Sequence, residues 1–239
     1  MDIKALQLES RFSLSPNSLG FCGKDSAPER FKRCVREGEC DDVEKEIRSF
    51  IVLYPYLKTL AAISSLPVFS YQVIESYWLG NDQLNKAKDE HYDLLLDNFI
   101  VQGIPDFFVA TLREKRPKKF IPSHFFQVLH VGVRQAGGAV SFDLNSINNC
   151  MIRWGETIEI KDGGKELEIS LNSLKMKGGK YELYKKKEIV SINKTLVTGV
   201  KVGDVLAVHW NMVVMKLTES EAEKLEYWTD EVLDCLKLK

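Results

Sequence analysis

The spacing of apolar residues changes along the chain, and the first part has the period of a helix. From Asp41 to Arg116, apolar positions recur every three or four residues, as on the buried face of an amphipathic helix. Asp41 and Asp42 can cap the first helix, a break is predicted at Pro55, and a longer helix is predicted from about Asp82 to Gln102. Residues 1–120 are therefore predicted to form an all-helical domain.

Residues 121–148 differ in composition from the helical part before them. FFQVLHVGV is apolar and rich in residues that favour strands, and QAGGAV is typical of a turn. Residues 121–148 are predicted to form a connecting segment or a hairpin, and the pattern leaves both open.

After Cys150 the apolar period becomes two, as in half-buried strands. Ile152, Trp154, Ile158 and Ile160 alternate with polar residues, and the DGG of 162–164 predicts a turn. Five or six short strands follow one another, and a closed barrel buries such a meander without exposed edges. TESE at 218–221 is a capping box that begins a last helix. The predicted class is α+β, with a small OB-like β-barrel and a C-terminal helix over residues 149–239.

Composition narrows the function classes. The 239 residues carry 33 basic and 34 acidic side chains, a formal net charge of −1, which argues against a dedicated nucleic-acid binder. No apolar run reaches the roughly 20 residues that cross a bilayer, and MDIKALQLESRF lacks the apolar core of a signal peptide. A cytoplasmic protein with a protein or small-molecule partner is expected, without membrane contact.

Five widely spread cysteines, an odd number in what is expected to be a reducing compartment, argue against disulfides. No CxxC pair occurs, so a structural zinc site is not expected. Cys22 lies in the loop sequence NSLGFCGKD, where backbone amides can stabilise a thiolate, so it is either an incidental cysteine of a turn or a metal-binding or reactive thiol.

Two stretches of the C-terminal part carry a family resemblance. VKVGDVLAVHWNMVVMKLTESEAEKLEYWTDEVL resembles the end of the HypC/HupF family of nickel-iron hydrogenase maturation chaperones, and CMIRWGETIEI resembles its start. The matching positions are Cys150, Gly155, Glu159, Ile160, Gly203, Asp204, His209, Lys216, Leu217 and Glu221. The whole chain also resembles an uncharacterised prokaryotic family of two-part proteins with a CG motif near the start and CxIRWG near the middle.

The resemblance implies a small barrel whose cysteine, together with the partner protein HypD, holds an iron carrying cyanide and carbon monoxide until it reaches the hydrogenase large subunit. Cys150 would then be the iron ligand or partner-binding thiol, and His209 a second ligand or a donor that orients the site. Arg153 and His209 are the candidates for lowering the pKa of the thiol. Trp154 stands where the family has proline, and Cys150 follows a domain of about 148 residues instead of the initiator methionine.

The predicted function is a metallochaperone or maturation factor of hydrogenase type, with no turnover of its own. Its partners would be a HypD-like maturation protein or a hydrogenase large subunit. Two alternatives stay open: an adaptor for protein or nucleic acid that uses the barrel as a scaffold, and a cysteine-dependent enzyme. The enzyme would combine Cys150 with His124, His130 or His209.

Overall fold

The computed structural model describes residues 2–23, 27–132 and 143–236. Its helical part begins with α1, Ile3–Ser18. The following helices are α2 Ala27–Glu37, α3 Val43–Arg48, α4 Leu53–Ser64, α5 Tyr71–Trp78, α6 His91–Gln102, α7 Asp106–Glu114 and α8 His124–Phe126. A 3₁₀ turn, Asp82–Lys86, precedes α6, and a π-helical stretch, Gln127–Gly132, continues α8. Among these described residues, no helix is both long and apolar enough to cross a membrane.

Helix α1 lies at the centre of the molecule. The Asp2 side chain accepts a hydrogen bond from the Ala5 amide and so caps the first turn, and its other oxygen accepts one from the Tyr71 amide at the start of α5. The helix packs against α2, α5 and the barrel strands. Because it has neighbours on several sides, it buries polar residues such as Glu9 and Ser13 as well as apolar ones.

The helical prediction for this part is confirmed, and two of its details differ. Pro55 lies in the first turn of α4 and not at a break, because a proline there removes no helical hydrogen bond. The single helix predicted from Asp82 to Gln102 is a 3₁₀ turn followed by α6.

Of the two readings of residues 121–148, the described residues match a connecting segment, and it is helical. The Ser123 hydroxyl accepts a hydrogen bond from the Phe126 amide and begins α8 within FFQVLHVGV. A further helix, Leu144–Cys150, is capped by Asp143 and ends two residues before the barrel. The predicted QAGGAV turn lies outside the described residues.

Five strands form the closed barrel: β1 Arg153–Lys161, β2 Glu166–Lys177, β3 Lys180–Ile192, β4 Val205–His209 and β5 Met212–Lys216. Their order around the barrel is β1-β2-β3-β5-β4, antiparallel except for a short parallel pairing of β3 with β5. The predicted DGG turn is present as a 3₁₀ turn at Asp162–Gly164. The α+β class with a small barrel is thus confirmed.

The C-terminal helix, Glu219–Cys235, begins with the predicted capping box. The Thr218 hydroxyl accepts a hydrogen bond from the Glu221 amide, and the Glu221 carboxylate accepts one from the Thr218 amide. The indole of Trp228 packs over Gly80, whose φ of +81° and closeness to that ring leave no room for a Cβ. The helix therefore lies against the helical part as well as following the barrel, and one apolar core runs through both parts.

The prediction that the chain has no disulfide is wrong. Cys34 and Cys40 form a disulfide, and both side chains are buried. Helix α2 ends at Glu37, and Gly38, at a φ of +74°, turns the chain so that Cys40 meets the last turn of the helix. A spacing of six residues does not reveal this contact, because it depends on the glycine turn.

Candidate functional site

A cavity of about 320 Å³ opens between α1, the segment after it, α8 and the barrel. Its wall is mainly apolar and aromatic, with Phe21, Phe50, Tyr77, Trp78 and Trp210 among the lining side chains. Polar groups converge on one side of it: His124, Cys150 and His209. A mostly apolar pocket with a few convergent polar groups is the usual form of a binding site.

Three elements that are distant in sequence bring these polar groups together. His124 is the first residue of α8, Cys150 the last residue of the helix Leu144–Cys150, and His209 the last residue of β4. One ligand atom from each residue, an imidazole nitrogen or the thiol sulfur, lies within 4.8 Å of the other two. A transition metal bound by all three would need bond lengths of about 2.0–2.3 Å, so the three side chains would have to move closer together.

His209 has the tautomer of a metal ligand. Its Nδ1 lies 2.7 Å from the carbonyl oxygen of Phe12, and because a carbonyl only accepts, Nδ1 carries the proton. Nε2 is then left with a lone pair, and it is buried without a hydrogen-bond partner among the described residues. Burial lowers the pKa of His209 to about 3, so the ring is neutral at pH 7. The Cys150 carbonyl lies near enough to raise the pKa of this ring, but as an acceptor it cannot bond to the Nε2 lone pair. A backbone carbonyl that orients a histidine through the other ring nitrogen is a common support for metal ligands.

His124 is held from both sides. Its Nδ1 lies 3.0 Å from the Tyr77 hydroxyl, and its Nε2 lies 2.8 Å from the Cys150 carbonyl oxygen. The Tyr77 hydroxyl also donates to the side-chain oxygen of Gln127. Burial lowers the pKa of His124 to about 4, so this ring is neutral too.

The neutral His124 ring carries one proton, and each of its two tautomers gives a different set of hydrogen bonds. With the proton on Nε2, the ring donates to the Cys150 carbonyl and Nδ1 accepts from Tyr77. With the proton on Nδ1, the ring donates to Tyr77 and Tyr77 donates to Gln127, but the Nε2 lone pair then faces the Cys150 carbonyl oxygen at 2.8 Å, so a metal at Nε2 requires this carbonyl to move away. The second arrangement is the one that a metal at Nε2 requires, and the Tyr77–Gln127 pair provides it.

The surroundings of Cys150 keep its thiol neutral. Burial raises the pKa of Cys150 well above its usual range, and the nearby Cys22 raises it further. The indole N–H of Trp210 faces the sulfur and lowers the pKa of this thiol, but it lies outside hydrogen-bonding geometry. The thiol and both imidazoles are therefore neutral, unlike the activated thiolate–imidazolium pair of a cysteine-dependent enzyme.

The Trp78 indole joins this cluster to α1. Its ring centroid lies 4.4 Å from that of His124 and 5.7 Å from that of His209. Its Nε1 donates to the buried Glu9 carboxyl at 2.7 Å, and Glu9 also accepts from the Ser13 hydroxyl. Burial raises the pKa of Glu9 to about 7. The Trp78 ring thereby holds both histidines in place from behind.

The residues proposed to support Cys150 have other roles. Arg153 is buried and donates to Glu188 at 2.7 Å and to Ser173, so it does not stabilise the thiol as predicted. Trp154 is buried on β1, opposite Ala207 of β4. A Cβ on Gly155 would lie 2.0 Å from the Ser170 carbonyl oxygen, so this glycine allows β1 and β2 to approach.

Gly203 and Asp204 stabilise the turn that precedes β4. The Gly203 amide donates to the Thr157 carbonyl, and the Asp204 carboxylate forms an ion pair of 2.7 Å with Lys216. This pairing lowers the pKa of Asp204. Neither residue lines the cavity in the described part of the chain, and both act on the strand that ends in His209.

Cys22 lines the same cavity, in the segment that follows α1. The residue is exposed, yet the loss of solvent around its thiol raises the pKa of Cys22 to about 11. It is not one of the three residues whose ligand atoms cluster. His130 lies in a different place, where its Nε2 meets the Tyr92 hydroxyl at 2.7 Å.

The sequence alone points to Cys150 and His209 and treats His124 only as a candidate base. Its position as the third member of the cluster depends on α8, which the strand-like pattern of FFQVLHVGV concealed. The one available signal is Ser123, a residue favoured at the cap of a helix, directly before His124.

Comparison with known proteins gives one match. The family described as "Family of unknown function (DUF6390)" matches residues 2–239. No curated protein and no solved structure matches the chain.

Proposed function

The chain belongs to the family of unknown function DUF6390, and from the site itself we propose that it binds and hands on a transition-metal ion. Cys150, His124 and His209 would be the ligands. The protein would act as a metallochaperone or maturation factor without turnover of its own.

One observation carries this proposal: the buried, unpartnered Nε2 of His209 faces a thiol and a second imidazole inside a cavity. An unsatisfied buried nitrogen is costly unless something binds it. Its tautomer, set by the Phe12 carbonyl, is the one that leaves Nε2 free for a metal. Both rings are neutral at pH 7 and need lose no proton to bind.

We propose iron as the cargo. Thiolate and imidazole together suit iron, copper and zinc, and they favour these over magnesium or calcium. The choice of iron rests on the resemblance to the hydrogenase maturation chaperones, since the two residues it points to, Cys150 and His209, both belong to the cluster. Cyanide and carbon monoxide as further ligands, and a HypD-like protein or a hydrogenase large subunit as partner, follow from the same resemblance.

The site suits transient holding. The cavity opens at a mouth next to Cys22, so an ion has a path in and out. The ligands come from separate elements. Because the Cys150 thiol is neutral without metal, protonation of its sulfur competes with metal binding. Release would therefore accompany reprotonation of the thiol.

The first test is metal analysis and infrared spectroscopy on protein purified without oxygen from cells that make the hydrogenase maturation proteins. Wild type is expected to carry iron with cyanide and carbonyl stretching bands, and Cys150→Ala is expected to lose both. Cys235→Ala, which removes a thiol of the C-terminal helix outside the cavity lining, is the matched control. Iron-free wild type without bands, with the partner proteins present, would contradict the iron proposal.

The two alternatives make different predictions. A cysteine-dependent enzyme needs a reactive thiolate, so Cys150 or Cys22 would be alkylated quickly at neutral pH. The raised pKa values of both thiols favour slow alkylation. An adaptor would lose binding when the exposed Lys185 and Lys187 of β3 are changed and would keep it in Cys150→Ala.

A further inference from the structure

The charge of the cavity limits what it can hold. None of its described lining residues is Asp, Glu, Lys or Arg. A divalent ion bound by the Cys150 thiolate and two neutral imidazoles would leave one net positive charge in a mainly apolar pocket. Buried charge without compensation costs on the order of several kcal/mol, so an ion that brings no anionic ligand such as cyanide with it needs a further anionic group of the protein.

The buried Glu9 carboxyl is badly placed for this role. Its two oxygens are bound to Ser13 and Trp78, and Glu9 does not belong to the described lining of the cavity. The indole of Trp78 lies between this carboxyl and the imidazole of His124. The Glu9 carboxyl instead orients the Trp78 indole, which packs on His124.

The second thiol of the cavity is better placed. Cys22 lines the same cavity as Cys150 and lies near enough to raise the pKa of that thiol, although its sulfur is not one of the three clustered ligand atoms. Gly20 and Gly23 flank it, both at positive φ, and Phe21 packs on Trp210 with a ring-centroid distance of 4.3 Å. The segment with Cys22 thus forms part of the wall of the cavity that Cys150 also lines.

We infer that Cys22 supplies a second thiolate, so that a divalent ion is held as a neutral complex of two thiolates and two imidazoles. This inference rests on the proposed metal binding and adds a ligand to it. The unpartnered, buried Nε2 of His209 is the independent sign that the cavity is built for a cation. Four ligands of this kind are the usual tetrahedral set for zinc and cobalt.

The number of protons released on metal binding depends on how many thiols bind the ion. A thiol gives up its proton when its sulfur bonds to the ion, and a neutral imidazole gives up none. One ion taken up therefore releases two protons to the buffer, while a site with Cys150 alone releases one.

The test uses Co²⁺ as the probe and the full chain without oxygen, after a count of the three free thiols: Cys22, Cys150 and Cys235. Proton release per bound ion is followed with a pH indicator at pH 7, beside the thiolate-to-cobalt charge-transfer absorption. Wild type is expected to release two protons, and Cys22→Ser one, with the charge-transfer intensity reduced to roughly half. Cys235→Ser is the control and is expected to match wild type.

The outcomes separate the two proposals. One proton per ion in both wild type and Cys22→Ser overturns the role of Cys22 and leaves metal binding intact. Absence of saturable Co²⁺ binding in wild type overturns the metal site itself, and the inference with it. Unchanged circular dichroism of Cys22→Ser shows that the variant is folded.

Discussion

At the scale of single residues, the site depends on which ring nitrogen carries each proton. The Phe12 carbonyl places the proton of His209 on Nδ1, and the Cys150 carbonyl, 2.8 Å from Nε2 of His124, favours the proton of His124 on Nε2. Metal binding to His124 selects the tautomer in which Nδ1–H donates to Tyr77. The Tyr77 hydroxyl is thus a positioning group that contacts no metal.

Tyr77→Phe is expected to weaken metal binding about 10- to 100-fold, because the His124 Nδ1–H then has no acceptor. A competition titration against a chromophoric chelator measures this change. Tyr227→Phe, on the exposed side of the C-terminal helix, removes a hydroxyl without touching the site and should bind like wild type. Equal affinity in Tyr77→Phe would exclude a role of the hydroxyl in orienting His124.

At the scale of elements, each chemical group of the site lies at the end of a helix or strand. Predictions held where one pattern determined the element, as in the barrel strands and the capping box at Thr218. In FFQVLHVGV the pattern left a connecting segment and a hairpin open, because its apolar and β-branched residues favour strands locally. Its described residues, up to Gly132, are helical and pack against α5 and Tyr92 of α6. Tertiary packing overrides such a preference, since its free energy is larger.

Gly155→Ala is expected to separate β1 from β2, because its Cβ would overlap the Ser170 carbonyl. We expect the free energy of unfolding to fall by about 1–3 kcal/mol, measured by urea denaturation. Glu156→Ala, at the next and exposed position of the strand, is the control and should change stability by less than about 0.5 kcal/mol. A similar stability for both variants would show that the strands adjust without strain.

At the scale of the whole molecule, the site joins the two parts of the chain. His209 belongs to the barrel, yet its Nδ1–H is held by Phe12 of α1, and Cys150 lies between the parts. The apolar core is continuous through both. Loss of packing between helices and barrel would therefore disassemble the cluster even if each part kept its elements.

Stability is expected to fall as the pH drops from about 6.5 to 4.5. His124, His130 and His209 have pKa values lowered by burial to about 4, 4 and 3, so the unfolded chain binds three protons in this range that the folded protein does not. Glu9, with its pKa raised to about 7, opposes this with one proton bound by the folded state. The balance still favours unfolding in acid.

Urea midpoints at pH 7 and pH 5 measure this effect. His209→Asn should reduce the difference between the two midpoints, whereas His91→Asn, outside the described cavity lining, should leave it unchanged. A midpoint that does not move in the wild type between these pH values would mean that the buried imidazoles accept protons without cost.

The sequence by itself determined the helical part, the barrel with its terminal helix, and two residues of the candidate site, Cys150 and His209. These follow from local periods and from short motifs, which depend on neighbours along the chain. Only the tertiary structure decided that His124 joins them, that Cys22 lines the same cavity, that Arg153 is paired elsewhere and that Cys34 meets Cys40. The physical reason is that each of these contacts depends on how separate elements pack or turn, and the packing energy that selects the arrangement is spread over the whole core.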